Sequence, residues 1–401
     1  MQTVHFFSLA RQIKGLEADL QSTIVQVMAS QQFIGGAHVE AFEQKMAHYL
    51  QTQHVIACNS GTDALWLALK ALNIQEHALV LTTPFSFIAS SSEIVAHNAT
   101  PVFIDIDPET FTICPEKLTN WLETNAKLVN GITVHQATGL PVVGIIAVDL
   151  FGQCADYTAL QPIAQAWKLW LIEDTAQAIG ATYQGKQAGT FGTIGCFSFY
   201  PTKNLGAFGD AGCCCTNDAH LAERLIRLRN HGRKTHYDYV ETGINSRLDG
   251  IQAAILNLKL DHLKGWNTRR NEIAARYNAA FANHPLIKIP RAINGYHVYH
   301  QYAIQLATPT ARTALEAYLA QQDIGTRVFY PKSLQDIAFL NNNHAVTTAC
   351  PIARNLAATI LALPVWPELT DQEVAHVIQT VKDAPLLTPK PRQQQRQPLS
   401  L

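Results

Sequence analysis

Long apolar runs are missing from this sequence of 401 residues, and none reaches the roughly 20 residues a helix needs to cross a bilayer. The opening MQTVHFFSLARQIKGLEADL lacks the basic-then-apolar order of a secretory signal, so a cytoplasmic location is expected. An excess of either charge is missing too. Thirty Lys and Arg face 31 Asp and Glu, and a formal net charge of −1 gives no bulk field to draw the chain to nucleic acid or anionic lipid. The eight cysteines include no CxxC pair and have no histidine cluster beside them, so no metal is expected. There is no GxGxxG for a dinucleotide: Gly189, Gly192 and Gly195 have the wrong spacing. The stretch Gly180–Lys186 nearly spells a P-loop, but Gln187 stands where a magnesium-binding Ser or Thr is required; a turn between hairpin-like strands is the expectation there.

What is present suits a large enzyme core. Apolar residues make up 47% and charged residues 15%. The length exceeds one ordinary core, which predicts two unequal domains or one large α/β domain with an appendage. Residues 10–50 read as helical, interrupted at Gly35-Gly36. From about 54 to 215, short apolar runs (HVIACN, ALVLTT, TPVFIDI, VVGIIAVDL, LWLIEDT, GCFSFY, GCCCTN) alternate with helical patterns. Such runs predict strands buried on both faces, in a mostly parallel sheet covered by helices. Within GCCCTN, Cys213, Cys214 and Cys215 are read as small hydrophobes. Residues 218–285 read as strongly helical, and 286–385 alternate short strands with helices as in a smaller α+β domain. The expected division is a large domain over 1–255, a small one over 256–385 and a Pro-, Gln- and Arg-rich tail over 386–401 expected to be disordered.

Three stretches put polar residues at strand ends, where open α/β sheets bind ligands. Asn59-Ser60-Gly61-Thr62 precedes a helix; its hydroxyls and the free amides of the helix start suit a phosphate, or simply cap the helix. Glu173-Asp174-Thr175-Ala176-Gln177 offers a carboxylate for a protonated ring nitrogen, or again a cap. SFYPTKNLGAFGDAG, residues 198–212, isolates Lys203 among aromatics and glycines. A desolvated lysine has a lowered pKa and suits Schiff-base chemistry; a surface loop lysine is the plain alternative.

With FIGGAHVEAFE, NSGTDALWLAL, PFSFIAS, PVFIDIDPETF, VDLFGQCADY, IEDTAQAIGA, SFYPTKNLGAFGDAG, RNHG, GINSRLDGIQAAIL, HVYHQYAI and LPVWPELT in order, the sequence resembles the DegT/DnrJ/EryC1/StrS sugar aminotransferases over roughly residues 5–385. The resemblance implies an aspartate aminotransferase-like, fold-type-I α/β enzyme dependent on pyridoxal 5′-phosphate (PLP). It implies that Lys203 carries the cofactor as a Schiff base, that Asp174 pairs with the pyridine nitrogen, and that Gln177 lies beside the phenolic oxygen. Gly61, Thr62 and Ser198 match phosphate-binding positions. Phe87 matches the ring-stacking aromatic, with Phe85 as the alternative register. Asn245 matches a residue reaching the phosphate from a neighbouring subunit, which implies a homodimer with shared sites. Tyr183, His231, Arg247, His300 and Tyr330 are candidate substrate contacts, each with a packing role as the alternative. The implied reaction is ping-pong amino transfer, with glutamate as donor by family precedent and a nucleotide-linked keto-sugar as acceptor. GINSRLDGIQAAIL resembles members acting at C-3. A keto-cyclitol acceptor and a non-catalytic PLP-binding regulator are the alternatives.

Overall fold

The computed structural model describes residues 3–293, 295–341, 346 and 348–385. The expectation for the tail, 386–401, lies outside the described residues. All seven short apolar runs become strands of one sheet: β1 (His54–Cys58), β2 (Leu79–Thr82), β3 (Thr100–Phe103), β4 (Val142–Val148), β5 (Trp170–Asp174), β6 (Ile194–Ser198) and β7 (Gly212–Thr216). Their order is β1-β7-β6-β5-β4-β2-β3. The pairs from β3 through β6 are parallel, and β7 runs antiparallel to both its neighbours.

Alternate side chains leave the sheet on opposite faces, as the two-residue strand period requires. Leu81, Ile145, Ala147 and Leu171 pack with Leu118, Leu122, Tyr157 and Leu160 of the helices Pro115–Asn125 and Tyr157–Ala166. Val80, Ile146, Ile172 and Cys214 pack the other way, against the helices Gly61–Ala71 and Ala219–Leu228. Further along the sheet Cys213 and Cys215 meet the helices Ala37–Leu50 and Gly250–Leu260. The cysteine run thus serves both faces as a filler, and all eight cysteines are unpaired and buried.

A three-stranded antiparallel sheet follows: β8 (Ile287–Lys288), β9 (Tyr302–Leu306) and β10 (Ile360–Leu363), in that spatial order. Its core gathers Ile273, Tyr277, Leu315, Leu319, Val374 and Val377 from the helices around it. Val4, from the far N-terminus, lies in this same core and forms a parallel bridge with Ile324. Sequence order alone had grouped it with the larger unit.

Two details differ from the sequence reading. The helical pattern over 218–285 is interrupted between Leu228 and Gly250, where a small hairpin pairs Arg233–Thr235 with Asp238–Tyr239. Gly232, at φ 73°, and Gly243 let the chain close on itself there; a Cβ on Gly232 would fall 1.7 Å from the Glu241 carbonyl oxygen. A second hairpin, Ala126–Val129 with Ile132–His135, also goes beyond the alternation. It turns on Asn130-Gly131, both at positive φ (51° and 80°), as a two-residue hairpin demands. The turn at Gln184-Gly185 is as expected, joining Thr182–Tyr183 to Lys186–Gln187. Among the described residues no helix is long and apolar enough to cross a membrane.

Candidate active site

The parallel strands β1, β5 and β6 end at the same sheet edge, and the three polar stretches follow them there. They enclose a cavity of about 740 Å³. Gly61, Thr62, Phe87, Asp174, Gln177, Ser198, Lys203, His300 and Tyr330 all line it.

At β1 the cap and the anion readings hold together. Ser60 Oγ accepts the Asp63 amide at 3.0 Å and starts the helix Gly61–Ala71. The amides of Gly61 and Thr62 have no carbonyl one turn earlier in that helix and remain available at the cavity. Helix start and strand end come very close: a Cβ on Gly61 would lie 2.6 Å from Ser198 Cβ. Only a glycine lets the Ser198 hydroxyl and these amides share one small cradle.

At β5, Asp174 is 5% exposed. Its Oδ2 accepts the Ser90 hydroxyl at 2.6 Å, and its Oδ1 the Ala176 amide at 3.3 Å. Burial raises its carboxyl above the usual range, opposed by the Ser90 and Ala176 hydrogen bonds and by the charge of Lys203. Ser90 itself contacts Ser86 Oγ at 2.9 Å. Neither serine was singled out in the sequence; the available signal was two hydroxyls four residues apart in PFSFIAS, at a helix start. Gln177 is fixed at both ends of its amide, accepting from Phe151 N at 2.9 Å and donating to Tyr330 Oη at 2.8 Å.

After β6, Lys203 sits in the turn of SFYPTKNLGAFGDAG. Its side chain keeps some solvent access through the cavity, but burial still pushes the ammonium pKa down to about 8, with Asp174 pulling the other way. Phe87 is 54% exposed over the cavity with its ring 6.3 Å from that of Tyr330, whereas Phe85 is fully buried. The wall position therefore belongs to Phe87. His300 Nδ1 lies 3.2 Å from Asn204 Oδ1. Burial, then the charges of Lys203 and Arg270, hold its imidazole well below the usual range.

Four of the candidates stand outside this cavity. Tyr183 is buried and its hydroxyl is spent on Asp156, at 2.6 Å, which leaves it a packing role in this chain. His231 is exposed at φ 61°, beside the small hairpin. Arg247 Nη1 lies 3.4 Å from the Asn230 side-chain amide, not against Asp249, and its Nε is buried without a hydrogen-bond partner among the described residues. Asn245 is exposed, although its neighbour Ser246 donates to Asp63 at 2.6 Å and accepts from Asn59 N at 3.2 Å. Nor does Asn245 cap the following helix, whose N-cap is Asp249.

The family model for the DegT/DnrJ/EryC1/StrS aminotransferase family matches residues 15–382. The chain belongs to that family. Among curated relatives, the chain is 38% identical to a pleiotropic regulatory protein of Geobacillus stearothermophilus, over 95% of this chain and 98% of the other. It is 37% identical to a UDP-N-acetyl-3-dehydro-alpha-D-glucosamine 3-aminotransferase of Acidithiobacillus ferrooxidans, covering 92% and 94%. Among solved structures, DesV of S. venezuelae in complex with a ketimine intermediate superposes with a TM-score of 0.87 at 33% identity, covering 95% and 98%.

The activity of this aminotransferase family depends on PLP, and the residues of this chain fit that cofactor. The amide and hydroxyl cradle at Gly61, Thr62 and Ser198 suits a phosphate ester. Asp174 is a buried carboxylate whose environment favours a cationic partner, and Lys203 is a partly neutral amine at the cavity wall.

Proposed function

We propose that this chain moves an amino group from glutamate to C-3 of a nucleotide-linked keto-sugar, in the biosynthesis of amino sugars. The observation that carries the reading is the convergence of Gly61, Thr62, Ser198, Asp174 and Lys203 on one cavity. The 3-aminotransferase named among the relatives supports C-3, as does the GINSRLDGIQAAIL stretch.

Bound PLP supplies an electron sink for the carbanion formed when an amino acid loses its α-proton. The chain's own residues do the rest. Gly61, Thr62 and Ser198 hold the phosphate. Asp174, fixed by Ser90, keeps the ring nitrogen protonated. Lys203, with a pKa lowered to about 8, exists partly as free amine near neutrality and carries the proton away from and back to substrate carbon. Gln177, held between Phe151 and Tyr330, would contact the phenolic oxygen of the bound cofactor. Phe87 and Tyr330 supply an aromatic wall that excludes water from one side.

A homodimer with shared sites belongs to the same reading. Asn245 is exposed and does not line the cavity of its own chain, which supports a role for its amide at the cavity of a second copy. The separate cores of the two sheets support a large and a small unit, but not a clean division into 1–255 and 256–385: Val4 joins the small core, and Leu256, Leu260 and Leu263 join the large one. Eight unpaired cysteines suit a reducing cytoplasm.

The regulatory name carried by one relative favours a second reading, in which the bound cofactor serves regulation without turnover. One panel separates the readings. Glutamate added to the holoenzyme should bleach the visible cofactor band, and nucleotide-linked 3-keto-sugars should restore it while 4-keto-sugars do not. A band that glutamate never bleaches favours the regulator. Recovery by a keto-cyclitol lacking a nucleotide would move the acceptor to that class.

A further inference from the structure

A second cavity, of about 330 Å³, adjoins the first. Thr202, His300, Gln301 and Phe329 line both. Beyond that shared wall stand two arginines, Arg270 and Arg327.

The N-terminal segment closes the second cavity and is tied down by its backbone. Val4 N donates to Asp323 O at 2.9 Å, Gly325 N to Val4 O at 2.8 Å, and Trp366 Nε1 to His5 O at 3.0 Å. The ring of Phe6 is thereby held 5.8 Å from the Arg327 guanidinium and 5.9 Å from the Phe329 ring. Arg327 is exposed, and its guanidinium makes a local hydrogen bond, from Nη1 to the Thr326 carbonyl at 2.9 Å. The guanidinium is therefore oriented by an aromatic face without being neutralised.

Arg270 is buried, with 3% exposure. Nη1 donates to the carbonyls of Val365 and Tyr299, and Nε is buried with no hydrogen-bond partner among the described residues. Its neighbours are carbonyl dipoles, not carboxylates; the acid that acts on it is Glu368, whose Oε1 accepts from Gln12 at 3.2 Å. Burial lowers the guanidinium pKa to about 10, which leaves it charged at neutral pH. The imidazole of His300, in the shared wall, responds to both Lys203 and Arg270.

The first cavity has little to offer an anionic amino acid. Apart from Lys203, whose amine does the chemistry, its basic lining residue is His300, and burial keeps that imidazole neutral. A dicarboxylic donor with its amine at the lysine still needs a cation for its far end. We propose that the second cavity takes the distal carboxylate of a dicarboxylic amino donor, with Arg327 as its direct partner and Arg270 as a buried source of positive potential. This rests on the glutamate-donor reading above. A guanidinium fork matches a carboxylate in two parallel hydrogen bonds, so the arrangement selects glutamate over monocarboxylic amino acids.

The test uses the holoenzyme in the first half-reaction alone, followed by the bleaching of its visible cofactor band. In Arg327→Gln the glutamate concentration for half-maximal rate should rise about tenfold or more, with the limiting rate nearly unchanged, while the response to L-alanine stays as in the wild type. Arg327→Lys should recover part of the loss. Calorimetry with glutarate, an unreactive dicarboxylate, should show the same weakening in Arg327→Gln. Melting temperatures of both variants verify folding, which the exposure of Arg327 favours. Equal glutamate dependence in wild type and both variants overturns the proposal and places the carboxylate elsewhere, on a cation of a second copy for instance, while leaving glutamate as donor. If wild-type enzyme ignores glutamate, the donor reading falls and the glutarate arm decides alone: weaker binding in Arg327→Gln keeps the cavity as a dicarboxylate site, and equal binding removes it.

Discussion

Replacing Gly61 by alanine sets two local effects against each other. Gly61 is the first residue of a helix and its φ is not in the left-handed region, so alanine would fit the backbone and gain about 1 kcal/mol of helix propensity. The new methyl, however, falls 2.6 Å from Ser198 Cβ, 3.2 Å from its Cα and 3.3 Å from its Oγ. Two of these are covalently fixed atoms of a buried-sheet strand, so the helix start or the strand end has to move. Such overpacking costs about 1–3 kcal/mol, which matches or exceeds the propensity gain. The same movement parts the amides of Gly61 and Thr62 from the Ser198 hydroxyl, so the cofactor bears most of the loss. With about 1.4 kcal/mol per factor of ten, the Kd for PLP should rise roughly tenfold to a hundredfold. Titration of PLP into apo-protein, followed by absorbance, measures this, and apo melting temperature gives the folding term separately. A Kd within about twofold of wild type, with the apo fold intact, would refute the argument that glycine is required for a phosphate cradle.

Three further expectations concern the site. The folded pKa of Lys203, about 8, lies below the ordinary 10.5, so between those values the unfolded chain binds more protons and apo-enzyme stability rises with pH. Lys203→Met removes this charge and all turnover; its stability advantage over wild type should be largest below pH 8 and shrink toward pH 10.5, and a gap independent of pH in denaturant unfolding would contradict the burial of the charge. Asp174→Asn should retain PLP but slow turnover on the order of a hundredfold or more, because an amide cannot hold the ring nitrogen protonated; near-normal turnover would show that Asp174 does not face that nitrogen. Mixing Lys203→Ala chains with Asn245→Ala chains under exchanging conditions should recover activity above either parent, since one site of the mixed dimer escapes both defects; proven exchange without recovery, given a clear defect in the Asn245→Ala parent, would mean that each site is built within one chain.

The strands were legible because each is a short apolar run bounded by turn residues, and burial on both sheet faces leaves no other pattern. Lys203, Asp174 and the Ser60–Thr62 turn were legible because strand ends place polar residues at a known edge. Phe87 and Phe85 are aromatics two residues apart; burial of Phe85 against Phe151 and Tyr330 leaves Phe87 at the cavity, the register that the resemblance implies. The pairing of Tyr183 with Asp156, 27 residues away, leaves no local trace in the sequence. The same holds for Ser90 on Asp174, 84 residues apart, and for the N-terminal segment that packs beside Arg327. The hairpin at Asn130-Gly131 did carry a local signal, a turn dipeptide between two alternating segments.

The proposed reaction transfers nitrogen, through a cofactor held at Lys203, to C-3 of a nucleotide-linked sugar. Incubating the holoenzyme with ¹⁵N-glutamate and a nucleotide-linked 3-keto-sugar, then locating the label in the product by NMR, tests it most directly. The product should carry one ¹⁵N bonded to C-3 when wild type is used, and none should form with Lys203→Ala. An unlabelled sugar, or a labelled product of unchanged yield from Lys203→Ala, would contradict it.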